Sequence, residues 1–158
     1  MLNTSLNSME VLEMAKNIEL RGRDFYRNQA AKTDKEEMKE LLNKLADDED
    51  DHYQTFSKIE AEVREKSDDD IEYIYDPEVS AYLDALIQFS VFPQEGEVKV
   101  DSALEILDIA KQAEKDSILF YYEMLEYNEG KTKEVIKKLI NEEKEHLLDL
   151  IKIEAELV

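Results

Sequence analysis

Two stretches of this chain, 94 residues apart, carry apolar residues in the same helical rhythm and interrupt it with the same two polar residues. Leu41, Leu45, Glu49, His52, Phe56, Ile59 and Val63 step by 4, 4, 3, 4, 3 and 4. Val135, Leu139, Glu143, His146, Leu150, Ile153 and Leu157 repeat those steps. Such steps trace one face of an α-helix, so a Glu and a His sit on a core-facing stripe, twice. The segments before them also match, at an offset of 95: Leu12, Ala15, Glu19, Gly22 and Tyr26 against Leu107, Ala110, Glu114, Ser117 and Tyr121. Again the Glu falls on the apolar stripe. The chain reads as a helical hairpin present in two copies.

The punctuation agrees. Only 3 Gly and 2 Pro occur in 158 residues, and long stretches carry neither, which favours helix throughout. The expected fold is all-α: a four-helix bundle over a single domain, 1–158, with helices at about 8–31, 34–66, 102–128 and 132–157. Asp34 with Glu37, and Ser102 with Glu105, have the spacing of a helix-starting capping box. Gly130 suits the position just past a helix end. Ser67-Asp68-Asp69-Asp70 breaks the pattern and opens a crossover, 67–101, that contains both prolines. A short helix is expected inside it, Glu78 to Phe92, with Val79, Tyr82, Leu83, Leu86 and Phe89 apolar. One long crossover between two hairpins is a known bundle topology.

Composition narrows the partners. Lys and Arg number 20 against 40 Asp and Glu, a formal charge of −20, so neither nucleic acid nor an anionic membrane surface is an expected partner. No stretch reaches the roughly 18 apolar residues of a membrane span. Met1 to Ser8 lacks the basic and apolar regions of a signal peptide, and the expected location is cytoplasmic. There is no Cys, which excludes disulfides, thiol catalysis and cysteine-ligated metal centres.

Four carboxylates buried together would be very unfavourable alone, because each resists desolvation and all repel. Two divalent cations bring +4 against −4 and neutralise them. The spacing allows this. Folded near Thr33-Asp34, Glu19 and Glu49 meet at mid-bundle, and folded near Gly130, so do Glu114 and Glu143. If the crossover returns the chain along the bundle, Glu49 and Glu143 face each other on antiparallel helices, and His52 and His146 diverge by a rise of about 4.5 Å each way. Each cation then gains one His, Glu49 and Glu143 bridge, and Glu19 and Glu114 complete the ends. Tyr26 and Tyr121 lie two turns beyond Glu19 and Glu114 on the same face, where their hydroxyls can reach a carboxylate across the bundle. Gly22 allows two readings, close helix packing or, together with Ser117, room left for a small molecule beside the cations.

These residues, within "AKNIELRGRDFY", "LADDEDDHYQTF", "AKQAEKDSILFY" and "LINEEKEHLLDL", resemble the rubrerythrin-like branch of the ferritin-like di-iron proteins, whose ligand scheme is the same. The resemblance implies a ferritin-like bundle with two Fe ions as cofactor, manganese suiting the same donors. It implies Glu19 and Glu114 as terminal ligands, Glu49 and Glu143 as bridges, and His52 and His146 as one nitrogen ligand per metal. The chain departs from classical members in two ways. Classical members add a cysteine-rich rubredoxin domain, whereas this sequence has no Cys, so electrons are expected from an external donor protein. Ser117 also stands where classical members carry a further Glu.

Three functions follow. The first is a di-iron oxidoreductase acting on peroxide or O₂, with Tyr26 and Tyr121 managing protons and Gly22 and Ser117 granting access. The second is iron handling, with ferroxidase chemistry at the same residues. The third is a metal-free acidic helical interaction module. The apolar stripe of residues 79–92 is expected either to cap the bundle or to meet a second subunit, and a homodimer is the expected assembly.

Overall fold

The computed structural model describes residues 5–65, 74–89, 92–93 and 102–157. Five helices run through them: α1 (Ser8–Lys32), α2 (Glu36–Glu65), α3 (Pro77–Phe89), α4 (Ala103–Glu126) and α5 (Gly130–Leu157). α1 packs chiefly on α2 and α4 on α5, while α1–α4 and α2–α5 contacts join the hairpins. α3 packs on α4. This is the expected bundle of two hairpins with a short helix in the crossover. No described helix is long and apolar enough to cross a membrane.

The apolar core comes in two parts. One gathers Val11, Leu12, Ile18, Phe56, Ile59, Phe120 and Leu139. The other gathers Phe25, Met38, Leu42, Leu45, Leu107, Leu150 and Ile153. On α1 the first part precedes Glu19 and the second follows it; on antiparallel α2 the order reverses around Glu49 and His52. A polar layer therefore crosses mid-bundle, with an apolar plug on each side.

Helix ends follow local chemistry. Asn7 caps α1: its Oδ1 accepts from Glu10 N–H at 2.8 Å, and Glu10 Oε1 accepts from Asn7 N–H at 3.2 Å. Such a cap stabilises a helix by about 1 kcal/mol. Ser102 Oγ accepts from Glu105 N–H as expected. Asp76 Oδ1 accepts from Val79 N–H, with Pro77 in the first turn, where its missing N–H costs nothing.

Three expectations need correction. Asp34 does not start α2. The chain is still extended at Thr33, whose hydroxyl accepts from Lys35 N–H, and the helix begins at Glu36. Gly130 does not close α4. That helix ends at Glu126, its last carbonyls taken by the Tyr127 and Asn128 N–H groups and by Asn128 Nδ2. Gly130 instead opens α5 with φ +61°, a conformation that favours glycine. The crossover helix ends at Phe89, so Phe92 lies beyond it. The break at Ser67–Asp70 and residues 94–101 fall outside the described residues.

The crossover is tied into the bundle. Tyr75 N–H donates to Leu6 carbonyl at 2.8 Å, and Leu6 N–H donates to Ser80 Oγ at 2.9 Å. Leu83, Leu86 and Phe92 are buried within the chain, while Tyr82 is partly exposed. Most of the described stripe is thus covered by this chain itself.

Phe92 also settles the surroundings of Gly22. A methyl group there would lie 3.0 Å from Phe92 Cε2 and 3.4 Å from Glu49 Cδ. The ring packs on Tyr26 and Phe25, with centroids 5.2 and 5.5 Å away. The room expected at Gly22 for a small molecule is therefore taken by an aromatic ring. Ser117, its counterpart, is buried with its hydroxyl donating to Ala113 carbonyl at 2.9 Å.

Replacing Gly22 by Ala gains about 1 kcal/mol of helix propensity but overpacks the ring at a cost of about 1–3 kcal/mol. Gly22→Ala should therefore destabilise the protein, and should become stabilising when Phe92→Ala is also present. Denaturant unfolding of the four proteins in the cycle reads this directly. The same sign in both backgrounds would contradict the packing described.

Candidate metal centre

Each of the four long helices delivers its polar residues to the mid-bundle layer: Glu19 from α1, Glu49 and His52 from α2, Glu114 from α4, Glu143 and His146 from α5. All six are at most 3% exposed. They form two overlapping sets whose ligand atoms lie within 4.8 Å of one another: Glu19, Glu49, His52 and Glu143, and Glu49, Glu114, Glu143 and His146.

The two shared residues straddle the layer. Glu143 places Oε1 at 2.9 Å from His52 Nδ1 and Oε2 at 3.2 Å from His146 Nδ1. Glu49 places Oε2 at 3.6 Å from His52 Nδ1 and Oε1 at 3.5 Å from His146 Nδ1. Glu19 approaches only His52, at 3.5 Å, and Glu114 only His146, at 3.5 Å. Two carboxylates thus span both imidazoles, and two serve one each.

The outer edges of the imidazoles are held by residues that the sequence reading missed. His52 Nε2 lies 2.8 Å from Glu142 Oε2, and His146 Nε2 lies 3.1 Å from Asp48 Oδ2. An outer carboxylate of this kind takes the second ring N–H, fixes the tautomer and turns the other nitrogen inward. Asp48 and Glu142 stand one residue before Glu49 and Glu143 and share their offset of 94. That repeat was the available signal, hidden among 40 acidic residues.

The tyrosines act where expected, across the bundle. Tyr26 hydroxyl donates to Glu114 Oε1 at 2.5 Å, and Tyr121 hydroxyl donates to Glu19 Oε1 through a short hydrogen bond. Each hairpin thus anchors the other's terminal carboxylate and imidazole, a pseudo-two-fold exchange that matches the sequence repeat. On the α2–α5 side, a surface cavity of about 370 Å³ reaches His52 and His146 between Asp48 and Glu142.

Charge is unbalanced here without cations. Burial, reinforced by Glu49, pushes the Glu19 carboxyl well up. Burial, with Glu143 adding, pushes Glu114 up to about 8. Burial opposes charging of His52 and His146, but the surrounding carboxylates outweigh it and hold both far above the usual imidazole range. Burial and Glu19 push Glu143 up, yet its two imidazole neighbours leave it low. Burial and nearby carboxylates keep both tyrosines protonated, as donors must be.

Metal fits this donor set. Four carboxylates and two imidazoles are the N/O ligands of hard and borderline divalent ions, and −4 is cancelled by two of them. Among the described residues, Glu19 Oε2, Glu49 Oε1 and Glu114 Oε2 are buried and accept no hydrogen bond, leaving lone pairs for a cation.

The pH dependence follows. Glu114, raised from 4.5 to about 8, contributes stability that is full below its unfolded value and lost as pH rises through its folded one. Glu19 acts in the same direction. The raised imidazoles lose their contribution only at still higher pH. Metal-free protein should therefore melt at a lower temperature near pH 8 than near pH 5.5, and added Fe²⁺ should raise melting more at the higher pH, where fewer protons must leave. Calorimetry with and without metal checks both, and a metal-induced shift that grows toward acid would contradict the assignment.

Comparison with known proteins agrees with this geometry. No curated protein sequence matches the chain. Its fold resembles the crystal structure of a candidate ferritin-like diiron-carboxylate protein from Thermotoga maritima, with a TM-score of 0.78 and 27% identity over 99% of this chain and 100% of that one. A family model for rubrerythrin matches residues 10–154, which take in nearly all of the four long helices. The chain belongs to the rubrerythrin family.

Proposed function

We propose that Glu19, Glu49, His52, Glu114, Glu143 and His146 hold two iron ions, and that the protein reduces peroxide or O₂ with electrons from another protein. The observation that carries this is the straddling of Glu49 and Glu143, each with one oxygen toward each imidazole. A pair of adjacent irons supplies one electron from each, matching the two-electron cleavage of an O–O bond. The chain's own residues do the rest. Asp48 and Glu142 fix the two imidazoles. Tyr26 and Tyr121 hold protons at Glu114 and Glu19. The apolar plugs and the Phe92 ring exclude bulk water from either side.

Bridging and terminal roles give different losses. Anaerobically prepared protein should take up two Fe²⁺ per chain. Glu49→Ala and Glu143→Ala should weaken both positions, while Glu19→Ala and Glu114→Ala should weaken mainly one. Asp48→Asn and Glu142→Gln should cost about 10–100-fold in affinity, as outer carboxylates do. Equal loss at both positions from every variant would contradict the assigned roles.

Peroxide added to the ferrous protein should oxidise it at about one peroxide per two irons, read by absorbance. Oxidation by O₂ followed by accumulation of many irons per chain would favour iron handling instead. Full occupancy by zinc in protein from iron-replete cells would sink the redox reading.

A further inference from the structure

The sequence repeat continues outward from the polar layer on one face of the bundle. A cavity of about 370 Å³ opens between α2 and α5, and His52 and His146 stand in its wall. Both are buried. Each turns Nδ1 toward the inner carboxylates and Nε2 outward, to Glu142 and Asp48. Around them the lining comes in pairs at the offset of 94: Asp48 with Glu142, Asp51 with Glu145, and Lys44 with Lys138. Acidity alone marks nothing on a chain with 40 acidic residues. A cavity that ends on two buried imidazoles of the metal layer does.

The directions along the bundle and toward the crossover are covered. Apolar plugs fill the bundle on either side of the layer. The Phe92 ring lies where a Gly22 side chain would be, with Glu49 just beyond. A larger cavity, of about 740 Å³, runs along α1 beside Ile87 and Pro93, and none of the six residues of the metal layer lines it.

A cation does not cross the floor of the α2–α5 cavity with its waters on. The two imidazole centroids are 5.6 Å apart, with ring planes 21° from parallel. A hydrated divalent ion, with metal–oxygen distances of about 2 Å, measures roughly 7 Å across. It must exchange waters for protein oxygens, and the carboxylates of the cavity supply them. Lysines now sit against these: Lys44 Nζ is 4.0 Å from Asp48 Oδ2, and Lys138 Nζ is 4.0 Å from Glu142 Oε1. Both lysines are exposed, so a divalent ion displaces them at little cost.

We propose that divalent metal reaches the centre through the α2–α5 cavity, drawn in by Asp51 and Glu145 and passed inward between His52 and His146; this rests on the two-cation reading above. Asp51 and Glu145 are exposed at the mouth and belong to neither ligand set. Their charge raises the local concentration of cations. Asp48 and Glu142, which hold the outer ring nitrogens, are the last oxygens met before the imidazoles.

The test follows metal movement and needs no turnover. Co²⁺, which suits the same N/O donors and absorbs visible light when bound, is mixed with metal-free protein by stopped flow and later withdrawn with a chelator. The double variant Asp51→Asn with Glu145→Gln should slow uptake about fivefold or more at 0.1 M salt, with two Co²⁺ per chain still bound at equilibrium. Thr55→Trp, which fills the cavity at constant charge, should slow it as well. The control Glu40→Gln with Glu62→Gln removes the same charge from exposed positions on α2. These lie roughly 16 Å from Asp51 along the axis, beyond the Debye length of about 10 Å, and should change the rate by less than about twofold. Release should also slow in the first two variants, because a cation that enters here leaves here. Circular dichroism checks that each variant folds.

Uptake that the Asp51 and Glu145 double variant leaves unchanged, or that the control slows equally, would overturn the route while two Co²⁺ bound to the wild type still support the centre. Faster release from the double variant would overturn it too, since the two acids would then hold bound metal rather than pass it. Wild-type protein that takes up no Co²⁺ would sink the two-cation reading and the route with it.

Discussion

Four carboxylates at the centre of a helical bundle repel one another in surroundings that solvate them poorly. Burial alone favours their neutral forms, and an uncompensated charge in such a place costs several kcal/mol. Protons on the imidazoles and on Glu114 meet that cost in part, as the upward shifts of His52, His146 and Glu114 show. Two divalent cations meet it in full, and would use the Glu19, Glu49 and Glu114 oxygens that otherwise accept no hydrogen bond. The division of the apolar core into two parts, the placement of tyrosines and the outer carboxylates all follow from having to hold this layer.

The layer is also what makes one unit of the two hairpins. Neither hairpin completes a set alone: His52 on α2 is held by Glu142 on α5, and Glu19 on α1 by Tyr121 on α4. The converse pairs, Asp48 with His146 and Tyr26 with Glu114, close the exchange. Metal bound at a site shared this way stabilises the docked hairpins over the separated ones by mass action. The duplication that gives the centre its symmetry does not extend over the whole surface: on the outer face of α4 and α5, Leu119 and Leu148 replace Asp24 and Gln54.

Much of this was legible in the sequence, for definite reasons. Helical periodicity places Glu49, His52, Glu143 and His146 on stripes that must be buried, and the repeat at fixed offsets makes an accident of phase improbable. The cross-bundle reach of Tyr26 and Tyr121 followed from two turns of spacing. Asp48 and Glu142 were missed because a quarter of the residues are acidic, so a carboxylate beside a carboxylate carries little information by itself. Phe92 was missed as the filler over Gly22 because the two are 70 residues apart and joined only by packing. The starts of α2 and α5 shifted because caps are decided by local hydrogen bonds, such as Thr33 hydroxyl to Lys35 N–H, that compete within a few residues.

The central claim is that this layer is a two-cation site with two shared carboxylates. Anomalous diffraction at the iron edge, from crystals grown anaerobically with Fe²⁺, tests it most directly. The account expects two peaks per chain, one among Glu19, Glu49, His52 and Glu143, the other among Glu49, Glu114, Glu143 and His146. A single peak, or none with the six side chains in the arrangement described here, would contradict it.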